Sequence, residues 1–229
     1  MTSGPDGSYR FFVEGSDDFH AILNLLARHE LSRETLPQTF PAFRPPKTED
    51  EHEDPQGKEA VLRAIETAVK VNPNESVGFV LDADDDIRAR WESVAHRLQR
   101  VGVDVGTELD SAGFLGKSTE YGTRVGVWLM PDNERAGRLE DFLEDLVDQT
   151  NSLLPHAHEA TREAKELGAF FPDAKTSKAV LHAWLAWQQE PGRPYGTAIK
   201  SGYLRHDSAA AKRFVAWFRQ LFAMEGPTA

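Results

Sequence analysis

An α/β fold, a parallel sheet flanked by helices and followed by a C-terminal all-helical extension, is what this sequence predicts, and three observations carry the prediction. Short β-branched and aromatic runs alternate with helical patterns as far as about Met130, as a parallel sheet with right-handed crossovers requires. Ser76-Val77-Gly78-Phe79-Val80-Leu81 is almost continuously apolar, the mark of a strand with helices on both faces of its sheet. After Pro131 only helical spacing remains.

The elements follow in order. Tyr9-Arg10-Phe11-Phe12-Val13-Glu14 reads as a strand stopped by Gly15, and Ser16, as a cap, with Asp17 and Asp18 starts a helix carried by Phe19, Ile22, Leu23, Leu25 and Leu26 to about His29. Leu36 to Pro55 is Pro-rich and acidic, mostly loop, with room for one short strand near Thr39 to Arg44. Ala60, Val61, Ile65, Ala68 and Val69 mark a second helix from Lys58 that ends before Asn72-Pro73-Asn74. The apolar strand follows, then a helix from Ile87 to Val101, Gly-rich connections, and a last strand over Thr123 to Met130. Further helices are predicted over Ala136 to Leu153, Pro155 to Leu167, Thr176 to Gln189 and Asp207 to Phe222. The chain divides accordingly into an α/β domain over residues 8–153 and a helical extension over 154–229 packed on it.

Length and composition bound the function. With 229 residues, 40% of them hydrophobic, the chain can bury one sizeable core and a helical annex. No apolar run approaches the roughly 18 residues a membrane span needs. The first eight residues have no basic region leading into an apolar one, so a cytoplasmic protein without membrane association is expected. The absence of cysteine removes disulfides, thiolate metal sites and a cysteine nucleophile. A net charge of -11 argues against coating nucleic acid with a broad basic surface, though not against a local site whose carboxylates are neutralised by divalent ions.

Ligands in an open parallel sheet bind beyond the carboxyl ends of the strands, and three predicted strands end in acids: Glu14, the run Asp82-Ala83-Asp84-Asp85-Asp86, and Asp132. Acids two apart at a strand end point to the same side, and several carboxylates crowded at one edge repel unless a cation intervenes. Oxygen ligands without Cys favour Mg²⁺ or Mn²⁺. Asp85 is expected to start the following helix. His156, His158, His182 and His206 are not spaced as a metal cluster. Trp184, Trp187, Trp217, Phe214 and Phe218 have the helical spacing of core residues. Gly4, Gly7 and Gly15 lack the spacing of a phosphate-cradling loop.

Phe12-Val13-Glu14-Gly15-Ser16-Asp17-Asp18 followed by Val80-Leu81-Asp82-Ala83-Asp84 resembles the paired motifs of the Toprim domain, shared by topoisomerases, bacterial primases, recombination proteins and overcoming-lysogenization-defect nucleases. The similarity spans about Tyr9 to Met130. Gly57-Lys58-Glu59, Leu129-Met130-Pro131-Asp132-Asn133 with Gly137 and Leu139-Glu140-Asp141, and Lys178-Ala179 with Trp184-Leu185-Ala186 resemble a small, poorly characterised Toprim-related family of bacterial and archaeal proteins. The acidic Pro-rich loop departs from the pattern, standing where a compact second strand is expected.

The resemblance implies that Asp82 and Asp84 hold Mg²⁺ with Asp86 as a third ligand, and that Glu14 ligates metal or serves as general acid/base. Asp132 and Glu140 would hold a second ion, and Lys178 or Lys175 would neutralise charge on a phosphate oxygen. Glu140 reads equally as a surface acid, beside Asp141, Glu144 and Asp145. Three functions follow. The first is a Mg²⁺- or Mn²⁺-dependent phosphoryl-transfer enzyme, a nuclease acting on DNA or RNA. The second is a non-catalytic Toprim-like binding or regulatory module of defence or toxin-antitoxin type, working as a homodimer or with a partner protein. The third is a phosphatase-like hydrolase with Asp82 as nucleophile, disfavoured because Asp86 stands where such enzymes carry Thr or Ser.

Overall fold

The computed structural model describes residues 9–44 and 57–224, so the acidic run Glu49 to Asp54, Gly4 and Gly7 lie outside the described residues. Among the described residues four strands form one open sheet in the order β1-β2-β4-β3: β1 (Phe11–Phe12), β2 (Ser76–Asp82), β3 (Phe114–Lys117) and β4 (Arg124–Met130). β1, β2 and β4 are parallel, with Phe12 opposite Phe79 and Asp82 opposite Met130. β3 runs antiparallel to β4 and closes that edge. The sequence reading had only Gly-rich connections there. β3 is four residues long, none of them buried, so it lacks the apolar run that marks β2 and β4. The short strand expected near Thr39 to Arg44 is a single parallel bridge of Phe43 to Phe11.

Side chains alternate across the sheet, and each face has its own core. Val77, Phe79 and Leu81 of β2 and Val125, Val127 and Leu129 of β4 pack against α2 (Lys58–Val71) and α3 (Ile87–Gln99). Val80, Trp128 and Met130 face the opposite core. That core is built by α1 (Ser16–Ala27), α4 (Leu139–Glu144), α5 (Leu153–Glu166), α6 (Thr176–Ala186), α7 (Tyr195–Lys200) and α8 (Ala209–Leu221). Burying each Leu, Val or Phe in this way contributes roughly 1.5–3 kcal/mol.

Gly78 and Gly126 are paired in register, and both lie under Leu221 of α8. A Cβ at Gly126 would stand 2.6 Å from the Leu221 side chain, and one at Gly78 2.9 Å from it. The two glycines let the C-terminal helix sit on the sheet, so the helices after residue 154 cover one face of the α/β core. Phe214, Trp217, Phe218 and Trp184 are fully buried there, while Trp187 is exposed and stacks on His156.

Several element bounds differ from the sequence reading. Of the helix expected over Ala136 to Leu153, Leu139–Glu144 is helical and Leu153 opens α5; Gly137, with a φ of 146° that no helix accommodates, keeps the chain before Leu139 out of it. α7 follows Pro194 in a Gly-rich stretch and has no counterpart in the sequence reading. Gly15, not Ser16, is the N-cap of α1. No helix among the described residues is long and apolar enough to cross a membrane.

Candidate functional site

The parallel strands deliver their carboxyl ends to one edge of the sheet. Glu14 lies two residues past β1, and its Oε1 accepts a hydrogen bond from the Asp82 backbone N–H at 2.9 Å. Asp82 closes β2, and its Oδ1 accepts from the Leu139 N–H at the first residue of α4, also at 2.9 Å. This fixes where α4 starts and brings Glu140, its second residue, to the same edge. Asp18, in the first turn of α1, faces the cluster from the other side.

Glu14, Asp18, Asp82 and Glu140 thus form one group of carboxylates in mutual electrostatic contact. Asp18 and Glu140 are only 8% and 9% exposed. Burial, followed by repulsion from Asp18, Glu14 and Glu140, pushes the Asp82 carboxyl up to about 9. Burial and repulsion from Glu14 push Asp18 up to about 7. Glu14 is raised by burial, against the pull of the Asp82 amide and Arg90. Lys178 Nζ reaches the rim, 2.8 Å from Asp17 and 3.6 Å from Glu140, and the Tyr195 hydroxyl lies 3.4 Å from Glu140.

Asp84 has a different environment. Its φ of 54° turns the chain away from the strand, and its backbone forms an antiparallel bridge with Gly137. The Asp84 N–H donates to the Gly137 carbonyl at 2.9 Å, and the Asp84 carbonyl accepts from the Gly137 N–H at 2.8 Å. A Cβ on Gly137 would meet Asp141 Oδ2 at 2.9 Å and the Pro131 ring at 3.0 Å, so the bridge requires glycine. The bridge sets Arg138 beside Asp84. Asp84 Oδ1 pairs with Arg138 Nε at 3.0 Å, and Oδ2 pairs with Arg90 Nη2 at 2.5 Å and Lys58 Nζ at 3.1 Å. Partial burial would raise its carboxyl, but the three cations outweigh that and hold it below the usual carboxylate range.

The other residues singled out from sequence go elsewhere. Asp86 is the N-cap of α3, its Oδ1 accepting from Ala89 N–H at 3.0 Å, so the helix-starting role expected of Asp85 belongs to Asp86. Asp132 Oδ1 accepts the N–H groups of Glu134 and Arg135, each at 3.0 Å, and Oδ2 pairs with Arg135 at 3.2 Å, which closes the turn after β4. Lys175 ends a 3₁₀ turn over Asp173–Lys175. The histidines have separate partners: His158 pairs with Glu144, His182 packs on Tyr195, and His206 meets His29.

Sequence reasoning missed Asp18, Arg90 and Arg138. A signal existed for the first two. Asp18 shares a helical stripe with the buried Ala21, Ile22 and Leu25, and Arg90 shares one with Val94 and Leu98. A charge on an apolar stripe must find a partner or a ligand. Arg138 had no such signal, since the Gly137 bridge alone places it.

The donor set suits a hard divalent cation: four carboxylates, no sulfur, and too few cations to balance them. Among the described residues no three His, Asp or Glu side chains already close around a common point as ligands would. The carboxylates are gathered by the backbone at one edge without being drawn onto one centre.

No curated protein and no solved structure matches the sequence significantly. A family model described as protein of unknown function (DUF3226) matches residues 8–223, which takes in both sheet faces, the carboxylate edge and the helices through α8. The chain therefore belongs to the DUF3226 family.

Proposed function

We propose that this chain is a Mg²⁺- or Mn²⁺-dependent phosphoryl-transfer enzyme, a nuclease of Toprim type acting on DNA or RNA. The observation that carries the reading is the gathering of Glu14, Asp18, Asp82 and Glu140 at the carboxyl edge of the parallel sheet, Asp18 and Glu140 buried and Glu14 and Asp82 half-buried, with Asp82 raised to about 9 by burial and its neighbours. Four partly or fully buried carboxylates that repel one another are unfavourable unless protonated or bound to a cation. The order and spacing of the motifs around Glu14 and Asp82 support the same reading through their resemblance to the Toprim pattern.

Glu14, Asp18, Asp82 and Glu140 would hold the ion, which would supply Lewis-acid stabilisation of charge developing on a phosphoryl oxygen. Glu14 has one oxygen committed to the Asp82 amide. Its other oxygen would take the proton in a general acid/base role. Lys178, between Asp17 and Glu140, provides a cation at the rim for a phosphate oxygen.

Cleavage of labelled oligonucleotide in Mn²⁺ should fall by about 100-fold or more in Asp82→Ala, the scale of losing a central electrostatic group. Undiminished cleavage would sink the assignment. A second reading has its own observation. Asp84, one of the positions that the resemblance makes a ligand, is already paired with Lys58, Arg90 and Arg138. A metal-binding module without catalysis fits that arrangement, and calorimetric Mn²⁺ binding with no cleavage would favour it.

A further inference from the structure

Away from the carboxylate edge, a cluster of cations lies between α2 and α3. A groove of about 380 Å³ there is lined by Arg63 and Lys70 from α2 and by His96, Arg97 and Arg100 at the end of α3, with Glu66 as its one acid. Four permanent cations against one carboxylate is a local excess in a chain of net charge -11. Arg100 is taken up by Glu66 at 3.1 Å, and Arg97 Nη1 donates to the Ser93 carbonyl and hydroxyl oxygens at 2.7 and 2.9 Å. Arg63 and Lys70 are exposed and make no ion pair among the described residues.

Cations near the ends of helices are often there to complement the helix dipole. That accounts for Lys70, His96 and Arg97, in the last turns of α2 and α3. Arg63 stands two turns before the end of α2, where the dipole has no hold on it. α2 joins the groove to the candidate site: it starts at Lys58, whose Nζ is 3.1 Å from Asp84 Oδ2, although Lys58 stands about a third of a turn around the helix from Arg63 and Lys70. Twelve residues of α-helix span roughly 18 Å.

We infer that the α2–α3 groove binds the phosphate backbone of a nucleic-acid strand and leads it to the carboxylate edge. Its direction rests on the phosphoryl-transfer reading, while its existence as a polyanion site does not. Binding through such a groove is sequence-independent and salt-sensitive, because each neutralised phosphate releases counterions.

The test is fluorescence anisotropy with a fluorescein-labelled 20-nucleotide DNA, single-stranded and duplex, in EDTA so that no metal is involved. Arg63→Glu with Lys70→Glu should weaken binding at least about 10-fold in 100 mM salt. It should also reduce the magnitude of the log–log salt slope by about 1.4 to 1.8, the share of two phosphates. Glu66→Gln removes the groove's acid and should tighten binding by about threefold, a gain no misfolded variant can imitate. No saturable binding by the natural chain, or affinity and slope unchanged in both variants, overturns the inference. Groove-dependent binding in a protein whose Mn²⁺-dependent cleavage is absent, or indifferent to Asp82→Ala, keeps the groove and discards the phosphoryl-transfer reading.

Discussion

Asp82 and Asp84 stand two residues apart in one motif, yet the fold gives them opposite surroundings. Asp82 faces Glu14, Asp18 and Glu140, has backbone N–H as its hydrogen-bond donor, and is raised to about 9. Asp84 faces Lys58, Arg90 and Arg138 and is lowered. The cause is local: Asp82 is the last strand residue, whereas Asp84 at positive φ is turned out of the strand by its bridge to Gly137. A carboxylate pair read from sequence as one ligand set is divided by the backbone into a group that calls for positive charge and a group that already has it. The first neighbourhood is left with mutual repulsion, and the second is a clamp that ties α2, α3 and the start of α4 together.

The difference can be tested by removing one element at a time. Beyond the loss of cleavage expected for Asp82→Ala, the largest stability effect should come from Arg90→Ala. Arg90 is 9% exposed and holds both the Asp82 carbonyl at 2.9 Å and the Asp84 carboxylate. Its loss leaves Asp84 partly buried and under-compensated, at a cost of about 2–3 kcal/mol after discounting for the exposure of Asp84. Lys58→Ala removes a more exposed partner and should cost less than about 1 kcal/mol. Urea denaturation measures both, and equal losses would mean that the clamp does not depend on burial.

A pH series sharpens the contrast from the other side. The raised carboxyls of Asp82 and Asp18 make the folded chain bind more protons than the unfolded one between about pH 4 and 9. Metal-free stability should therefore fall as pH rises through that window. The lowered Asp84 works in the opposite sense, gaining its contribution above the ordinary carboxylate range and losing it in acid. From pH 5 to pH 9 the metal-free protein should lose stability steadily, read as a falling Tm in EDTA. Mn²⁺ should restore more of it at pH 8 than at pH 5. A Tm that rises with pH in EDTA would show that the four carboxylates do not repel as described.

The smallest effect is expected of Asp86→Ala. Loss of the α3 cap should cost about 1 kcal/mol in thermal unfolding. The stabilisation that Mn²⁺ gives should be unchanged, since the Asp86 side chain is turned to the helix N–H groups. A reduced Mn²⁺ response would return Asp86 to the ligand set.

How far the sequence could be read depended on what each residue's signal was made of. β2 and β4 were visible because buried parallel strands are continuously apolar, and α2 and α8 because their apolar residues recur at helical spacing. β3 and α7 were not, being short and broken by glycine or proline. Glu14 and Asp82 were legible as acids closing strands. Asp18 resembled ordinary helix-start chemistry, although its place on the stripe of Ala21, Ile22 and Leu25 marked it as buried. Glu140 read equally as a surface acid until α4 placed it at the carboxylate edge.

By itself the sequence determined the α/β alternation, the covered sheet and the strand ends at which acids gather, because these follow from periodicity and from where apolar runs stop. Only the tertiary structure decided which acids share a neighbourhood. That choice rests on one glycine-dependent bridge between Asp84 and Gly137 and on one N–H from Leu139, contacts between segments more than 50 residues apart. No local pattern encodes such contacts, and they separate the carboxylates left to repel from the carboxylate already paired.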